Sequence, residues 1–209
     1  GSVEKIIVVG PKDRLDDYLR GRVDAIIDSD ENIMANVMAG VKFLGYEEHL
    51  LVCSCDIPFI TSEAVSSFTK QALSLDADLC YPIIEKDVSE RKFPEAERTY
   101  VKIREGTFTG GNIFFVNPRA IEKGYDLAVK LLHERKKPLK MAGILGLPFL
   151  LGLLLGTLSL KKIERRFSRI LNIRARAVIS EYAEIGNDVD KPSDVIIAEA
   201  YLSDHKKWG

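Results

Sequence analysis

Four short apolar runs, each stopped by Gly, Asp or Pro, alternate with stretches of helical periodicity through the first part of the chain. The runs are "VEKIIVVG" (Val3–Gly10), "VDAIIDS" (Val23–Ser29), "HLLVCSCDI" (His49–Ile57) and "ADLCYPII" (Ala77–Ile84). Between them lie "PKDRLDDYLRG", "ENIMANVMAGVKFLG" and "TSEAVSSFTKQALSL". In the second of these, Ile33, Val37, Val41 and Leu44 recur at helical spacing, and in the third Thr61 or Ser62 is placed to cap. Strand–helix alternation of this kind predicts a mostly parallel sheet covered by helices, a three-layer α/β/α arrangement.

The second half is less regular. "EKDVSERKFPEAER" is polar and reads as a loop. "TYVKIREG" and "TGGNIFFVNP" read as strands paired through the Gly106–Gly111 region, and "PRAIEKGYDLAVKLLHERKK" as a helix. "ARAVISEY" is a further strand, and a last helix is expected from about Ser193 to Leu202. The chain has 209 residues, no internal repeat and no low-complexity linker, so one domain over 1–209 is the simplest organisation. A net charge of −1 provides no field for nucleic acid. Three cysteines, Cys53, Cys55 and Cys80, make no disulfide framework. Buried thiols in a reducing cytosol are the expectation, and so a cytoplasmic protein.

"MAGILGLPFLLGLLLGTLSL" (Met141–Leu160) carries no charge for its whole length. Length alone would suit a membrane span. Gly143, Gly146, Pro148, Gly152 and Gly156 interrupt it, and Lys140 and Lys161–Lys162 flank it on both sides, which selects no orientation. A buried hairpin or helix, a homodimer face through residues 141–160, or an interfacial helix at a membrane surface remain. The basic run behind it holds Lys161, Lys162, Arg165, Arg166 and Arg169. Such charges make a solvated face or a binding face for anionic lipid or phosphate. Residues 139–171 are therefore expected to be an apolar and basic helical insertion within the domain.

Two acidic features carry chemistry. Asp56 stands where an apolar strand ends, and in open α/β sheets ligands gather at the carboxyl ends of strands. "GNDVDKPSD" (Gly186–Asp194) crowds Asp188, Asp190 and Asp194 around Pro192. Such a cluster repels itself unless a cation or a helix N-terminus compensates. Asp194 suits the start of the last helix. Asp188 and Asp190, two apart on extended chain, project to one side, where a hard divalent cation such as Mg²⁺ would find oxygen ligands. Either segment could also be a plain turn. In "TFTGGNIFFVNP", Gly110 and Gly111 permit close backbone approach to a ligand or a tight bulge, and Asn112 is placed to hydrogen-bond into a cleft. Arg98 and Lys102, just upstream, could clamp an anionic acceptor or be ordinary surface charge.

The order strand–"CDIP"–helix, then "GGN"–strand, then "DVDKPSD" resembles nucleotidyltransferases of the GT-A-like, nucleotide-diphospho-sugar transferase-like fold, and is most similar to the MobA-like NTP transferase family. The resemblance covers about Val3–Asn117 and Ala175–Leu202. It implies Asp56 as a ligand of a catalytic Mg²⁺, with Asp190 and then Asp188 completing the metal site. It implies Gly110, Gly111 and Asn112 near the acceptor, and Asn36 on a helix beside the nucleotide. The family's opening Gly-rich loop, L-A-G-G-x-x-x-R-x-G-x-x-K, has no counterpart, and Val3–Gly10 resembles the family's second strand. The domain is accordingly expected to be N-terminally incomplete by roughly forty residues, the length of a strand, loop and helix.

The function implied is Mg-dependent nucleotidyl transfer: a nucleoside monophosphate passes from a nucleoside triphosphate to a phosphorylated small-molecule or lipid-linked acceptor, and pyrophosphate leaves. The alternatives are a nucleotide-sugar-dependent glycosyltransferase and a non-catalytic, membrane-peripheral binding protein on the same fold.

Overall fold

The computed structural model describes residues 3–29, 32–46, 48–134 and 137–205. In chain order the elements are β1 (Ile7–Val9), α1 (Lys12–Leu19), β2 (Ala25–Ile27), α2 (Ile33–Leu44), β3 (Leu50–Cys53), α3 (Ser62–Ser74), β4 (Leu79–Glu85) and α4 (Lys86–Lys92). There follow β5 (Val101–Ile103), β6 (Gly106–Gly110), β7 (Ile113–Val116), α5 (Pro118–Glu134), α6 (Pro138–Leu145), α7 (Leu147–Leu154), α8 (Leu160–Leu171), β8 (Ala175–Ser180) and α9 (Pro192–His205). A one-turn 3-10 helix, Ala183–Gly186, lies between β8 and α9.

Two helices, α2 and α3, begin where a side chain satisfies one of their free amides. Asn32 accepts from the Met34 amide at 2.9 Å to open α2. Thr61 Oγ1 accepts from the Ala64 amide at 3.2 Å to open α3. The segment read as a polar loop instead holds α4. It carries no apolar period, but Ser89 is buried and Lys92 reaches the buried Glu184 at 2.8 Å, so tertiary contacts supply what the pattern lacks.

The sheet corrects the mostly parallel expectation. β1 and β2 form a separate parallel pair. The main sheet has six strands in the order β3-β7-β4-β6-β5, with β8 on β4. Its β3–β7, β4–β7, β4–β6 and β5–β6 ladders are antiparallel, and only β4–β8 is parallel. The reason lies in the β5–β6 hairpin. Once the chain turns back at Arg104-Glu105, it runs opposite to β4, and β7 inserts between β3 and β4. Two strands that follow one another through a helix thus lose their mutual pairing.

One face of α3 closes the main core. Ala64, Phe68 and Ala72 pack with Cys80, Ile84, Ile113, Phe115, Val178, Ile185 and Ile57. Fully burying a side chain such as Phe68 contributes roughly 1.5–3 kcal/mol. A second cluster of Phe59, Phe93, Ala183 and Ala198, with Tyr201 at its edge, ties α4, the 3-10 turn and α9 to the segment after β3. Cys80 is buried, which pushes its thiol up to about 11. Cys53 and Cys55 are exposed, contrary to the expectation of buried thiols: β3 sits at an edge of the six-stranded sheet, and Cys55 follows its end.

The charge-free block is two short helices, α6 and α7, rather than one long one, and α8 starts only at its last residue. Gly146 (φ 89°) separates α6 from α7, and Gly156 (φ 65°) ends the turn after α7. Both take the left-handed conformation that a side chain would strain. No helix among the described residues is long and apolar enough to cross a membrane.

Candidate active site

Asp56 is held between the two cores. Just after it Ile57 enters the main cluster, and two residues on Phe59 enters the second, tilted against Phe93 at 4.9 Å and edge-on at 5.1 Å to Tyr201. The carboxylate between these anchors remains exposed.

The acidic segment from the far end of the chain comes to it along a short chain of backbone hydrogen bonds. Asn112 is the joint. Its carbonyl accepts from the Ser54 amide at 3.0 Å, and its amide donates to the Ile185 carbonyl at 2.9 Å. The Val189 amide then donates to the Asp56 carbonyl at 2.8 Å. The result brings Asp56, Asp188 and Asp190 together, with a carboxylate oxygen from each within 4.8 Å of the others.

Asp190 is oriented by the start of α9. Asp194 accepts from the amides of Asp190 at 3.0 Å and Lys191 at 2.9 Å. These bonds, the Lys191 amide foremost, hold the Asp194 carboxyl below its ordinary range. Asp194 thus has the structural task expected of it, outside the cluster.

Arg98 has a different place from the one expected. Its Nε donates to Asn187 Oδ1 at 2.9 Å, its Nη2 to the Asp188 carbonyl at 2.7 Å, and its Nη1 pairs with the Asp188 carboxylate. The side chains of the pair are only 12% and 18% exposed. A guanidinium so committed is no free clamp for an acceptor; it fixes the Asn187–Asp188 corner. Three carboxylates against one guanidinium leave two negative charges at the site, which a divalent cation would balance. Lys102 is also elsewhere. It lies on β5 at the opposite end of the strand order from β3, with its stem over Gly156.

Gly110 and Gly111 are required by packing. A Cβ on Gly110 would lie 1.9 Å from the Tyr81 hydroxyl, and one on Gly111 would lie 2.7 Å from Ile185 and Pro82. These glycines let β4 and the 3-10 turn close on the strand junction that carries Asn112. Asn36 sits in the second turn of α2, a helix packed on β1 and α5.

Three contributors escaped the sequence reading. Asn187 takes two donors of Arg98, and Glu184, buried, receives Lys92 and pins α4 to the turn ahead of Asp188. Tyr81 lies near Asp188: burial raises its hydroxyl above the ordinary tyrosine range, and the Asp188 charge adds to this. The "GND" order offered a hint for Asn187; nothing local marked Tyr81 or Glu184.

A mixed α/β domain with clustered carboxylates at the end of a strand suits phosphate-transfer chemistry. Residues 1–146 match the MobA-like NTP transferase domain, and the chain belongs to that family; its class of activity is nucleotidyl transfer. Among solved structures, a hypothetical transferase from Thermus thermophilus is 36% identical over 90% of this chain and 78% of its own, with a TM-score of 0.83. The 4-diphosphocytidyl-2C-methyl-D-erythritol synthase of Anaerococcus prevotii shares the fold at 14% identity and a TM-score of 0.57, over 96% of this chain and 79% of its own. The molybdopterin-guanine dinucleotide biosynthesis protein A of Archaeoglobus fulgidus aligns over 95% of this chain and 78% of its own, at 13% identity and a TM-score of 0.49, too low to carry an argument. A search of curated proteins returned no match.

Proposed function

We propose that this enzyme moves a nucleoside monophosphate from a nucleoside triphosphate to a phosphorylated acceptor. An acceptor phosphate oxygen bonds to the α-phosphorus, the bond from that phosphorus to the bridging oxygen breaks, and pyrophosphate leaves. The observation that carries this reading is the meeting of Asp56, Asp188 and Asp190 in a chain of this family.

The donor set fits a hard divalent cation, because all three groups are carboxylates and, among the described residues, no sulfur or imidazole joins them. Bound there, Mg²⁺ would neutralise phosphate-oxygen charge as it develops. The remaining work belongs to the chain. Asp56 and Asp190 present exposed oxygens on backbone fixed from both sides, and Arg98 keeps Asp188 turned toward them. The Asn112 backbone holds the two halves in register. Positioning of this kind is most of what phosphoryl-type transfer asks of a protein, and no covalent nucleophile is needed. Asn36 is assigned a place beside the nucleotide, and Gly110 and Gly111 one beside the acceptor, by likeness to the family alone.

The test is pyrophosphate release with each of the four common triphosphates, a panel of phosphorylated acceptors and Mg²⁺. Release is expected from one triphosphate, to stop on chelation, and to be lost in Asp56→Ala. Undiminished release by that variant would contradict the assignment. Turnover of nucleotide-sugars alone would point to glycosyl transfer.

A further inference from the structure

Helix α7 is apolar on both sides. Its inner side packs toward α8, where Phe149 meets Phe167 edge-on at 6.4 Å. Its outer side is a row of leucines: Leu147 is 59% exposed, Leu151 48%, Leu154 83% and Leu155 74%. On a helix of 3.6 residues per turn these four fall within one arc of roughly 100°. Phe149, Leu150 and Leu153 fall on the opposite arc, and all three are more covered than that row. A contiguous row of this size marks an interaction surface.

The charges around it select the occupant. From 137 to 176 the chain holds nine Lys and Arg and one acid, Glu164; Lys137 and Lys140 are paired with Glu134 and Arg174 with Asp76 and Asp78, so six of the nine remain to set the charge of this region. That carboxylate is spent on the Ala177 amide at 2.9 Å. Basic side chains stand at both ends of the row. Arg166 lies at the Gly146 joint that opens α7, its Nη2 donating to the Ile144 carbonyl at 3.4 Å. Lys102 lies over Gly156 beyond the other end. Lys161, Lys162, Arg165 and Arg169 are exposed on α8. We infer that the α7 leucine row inserts into the interface of an anionic lipid bilayer, with the surrounding cations on the headgroups. A short apolar helix bracketed by Lys and Arg suits that boundary, where leucine enters the acyl edge and long basic side chains reach back to phosphate. A second copy of the chain would bring these cations against their own kind, which disfavours it as the occupant. The surface uses none of the three clustered carboxylates, so this inference does not rest on the proposed reaction.

Co-sedimentation tests it, using vesicles of phosphatidylcholine alone and with about a third phosphatidylserine, at low and high salt. The protein is expected to bind the anionic vesicles, more weakly in salt and on neutral vesicles. The triple variant Leu151→Ser, Leu154→Ser, Leu155→Ser should lose binding by about tenfold or more. These side chains are exposed, so the variant should melt with the wild type. Lys102→Glu reads the electrostatic part separately. No sedimentation with anionic vesicles, or equal sedimentation of wild type and the triple variant, overturns the inference. So does a wild-type dimer that the triple variant turns into a monomer.

Discussion

The Val189 amide donates to the Asp56 carbonyl at 2.8 Å, and this bond brings the segment that carries Asp188 and Asp190 to the strand-end aspartate. Backbone makes this join, so it does not depend on the charge of Asp56. Asp56→Asn should therefore leave the fold intact. Without metal it should melt at or slightly above the wild type, because a like-charge repulsion is relieved. Its Mg²⁺-induced rise in melting temperature should disappear, and turnover should fall by about a hundredfold or more. Thermal melts with and without Mg²⁺, beside a pyrophosphate assay, separate the two effects. A variant that melts far lower than wild type would mean the carboxylate itself supports the fold.

Arg98 works by position. Arg98→Ala would strand Asp188 without its partner and release Asn187, and breaking a largely buried pair costs about 3 kcal/mol. Arg98→Lys should restore little, because an ammonium cannot serve Asn187 Oδ1, the Asp188 carbonyl and the Asp188 carboxylate in a planar fork. Urea unfolding of both variants checks this. Full stability in Arg98→Lys would show that charge alone suffices.

The glycines read as a place for ligand approach answer to their neighbours. Gly111→Ala must push Ile185 and Pro82, both in the core around β4, and should cost about 1–3 kcal/mol. Gly110→Ala meets the Tyr81 hydroxyl and ring first, so Tyr81→Ala should recover much of its loss. A double-mutant cycle on Gly110 and Tyr81 measures the coupling, and simple additivity would place the strain elsewhere.

How far the sequence spoke can be judged from these residues. Helix α2 was legible because its apolar residues keep a 3.6 period, and α3 because Thr61 announces its start. Strand direction was not, because no local pattern tells β7 to enter between β3 and β4; that follows from the β5–β6 turn. α4 was missed because its reasons, the buried Ser89 and Lys92 on Glu184, lie in tertiary contacts. The acidic cluster was suggested by chemistry, since an aspartate at a strand end and a D-x-D pair both require explanation. The task of Arg98 was hidden because its partner Asp188 is 90 positions away.

Glu134, at the end of α5, ties that helix to α6. One oxygen takes Lys140 at 2.9 Å and His133 at 3.0 Å, and the other pairs with Lys137 at 3.2 Å. These contacts, the Lys140 hydrogen bond first, hold its carboxyl down to about 2, below the ordinary 4.5. Between those values the unfolded chain binds a proton that the folded chain refuses, so stability rises with pH across the window. The contribution is complete above about pH 4.5 and is lost as pH falls toward about 2. Glu134→Gln removes this group from the balance. Its deficit in urea midpoint should be largest near neutrality and shrink steadily from about pH 4.5 downward. A deficit constant from pH 7 to pH 3 would mean that Glu134 acts through shape and hydrogen bonding rather than charge, and Lys137 and Lys140 would then owe it nothing.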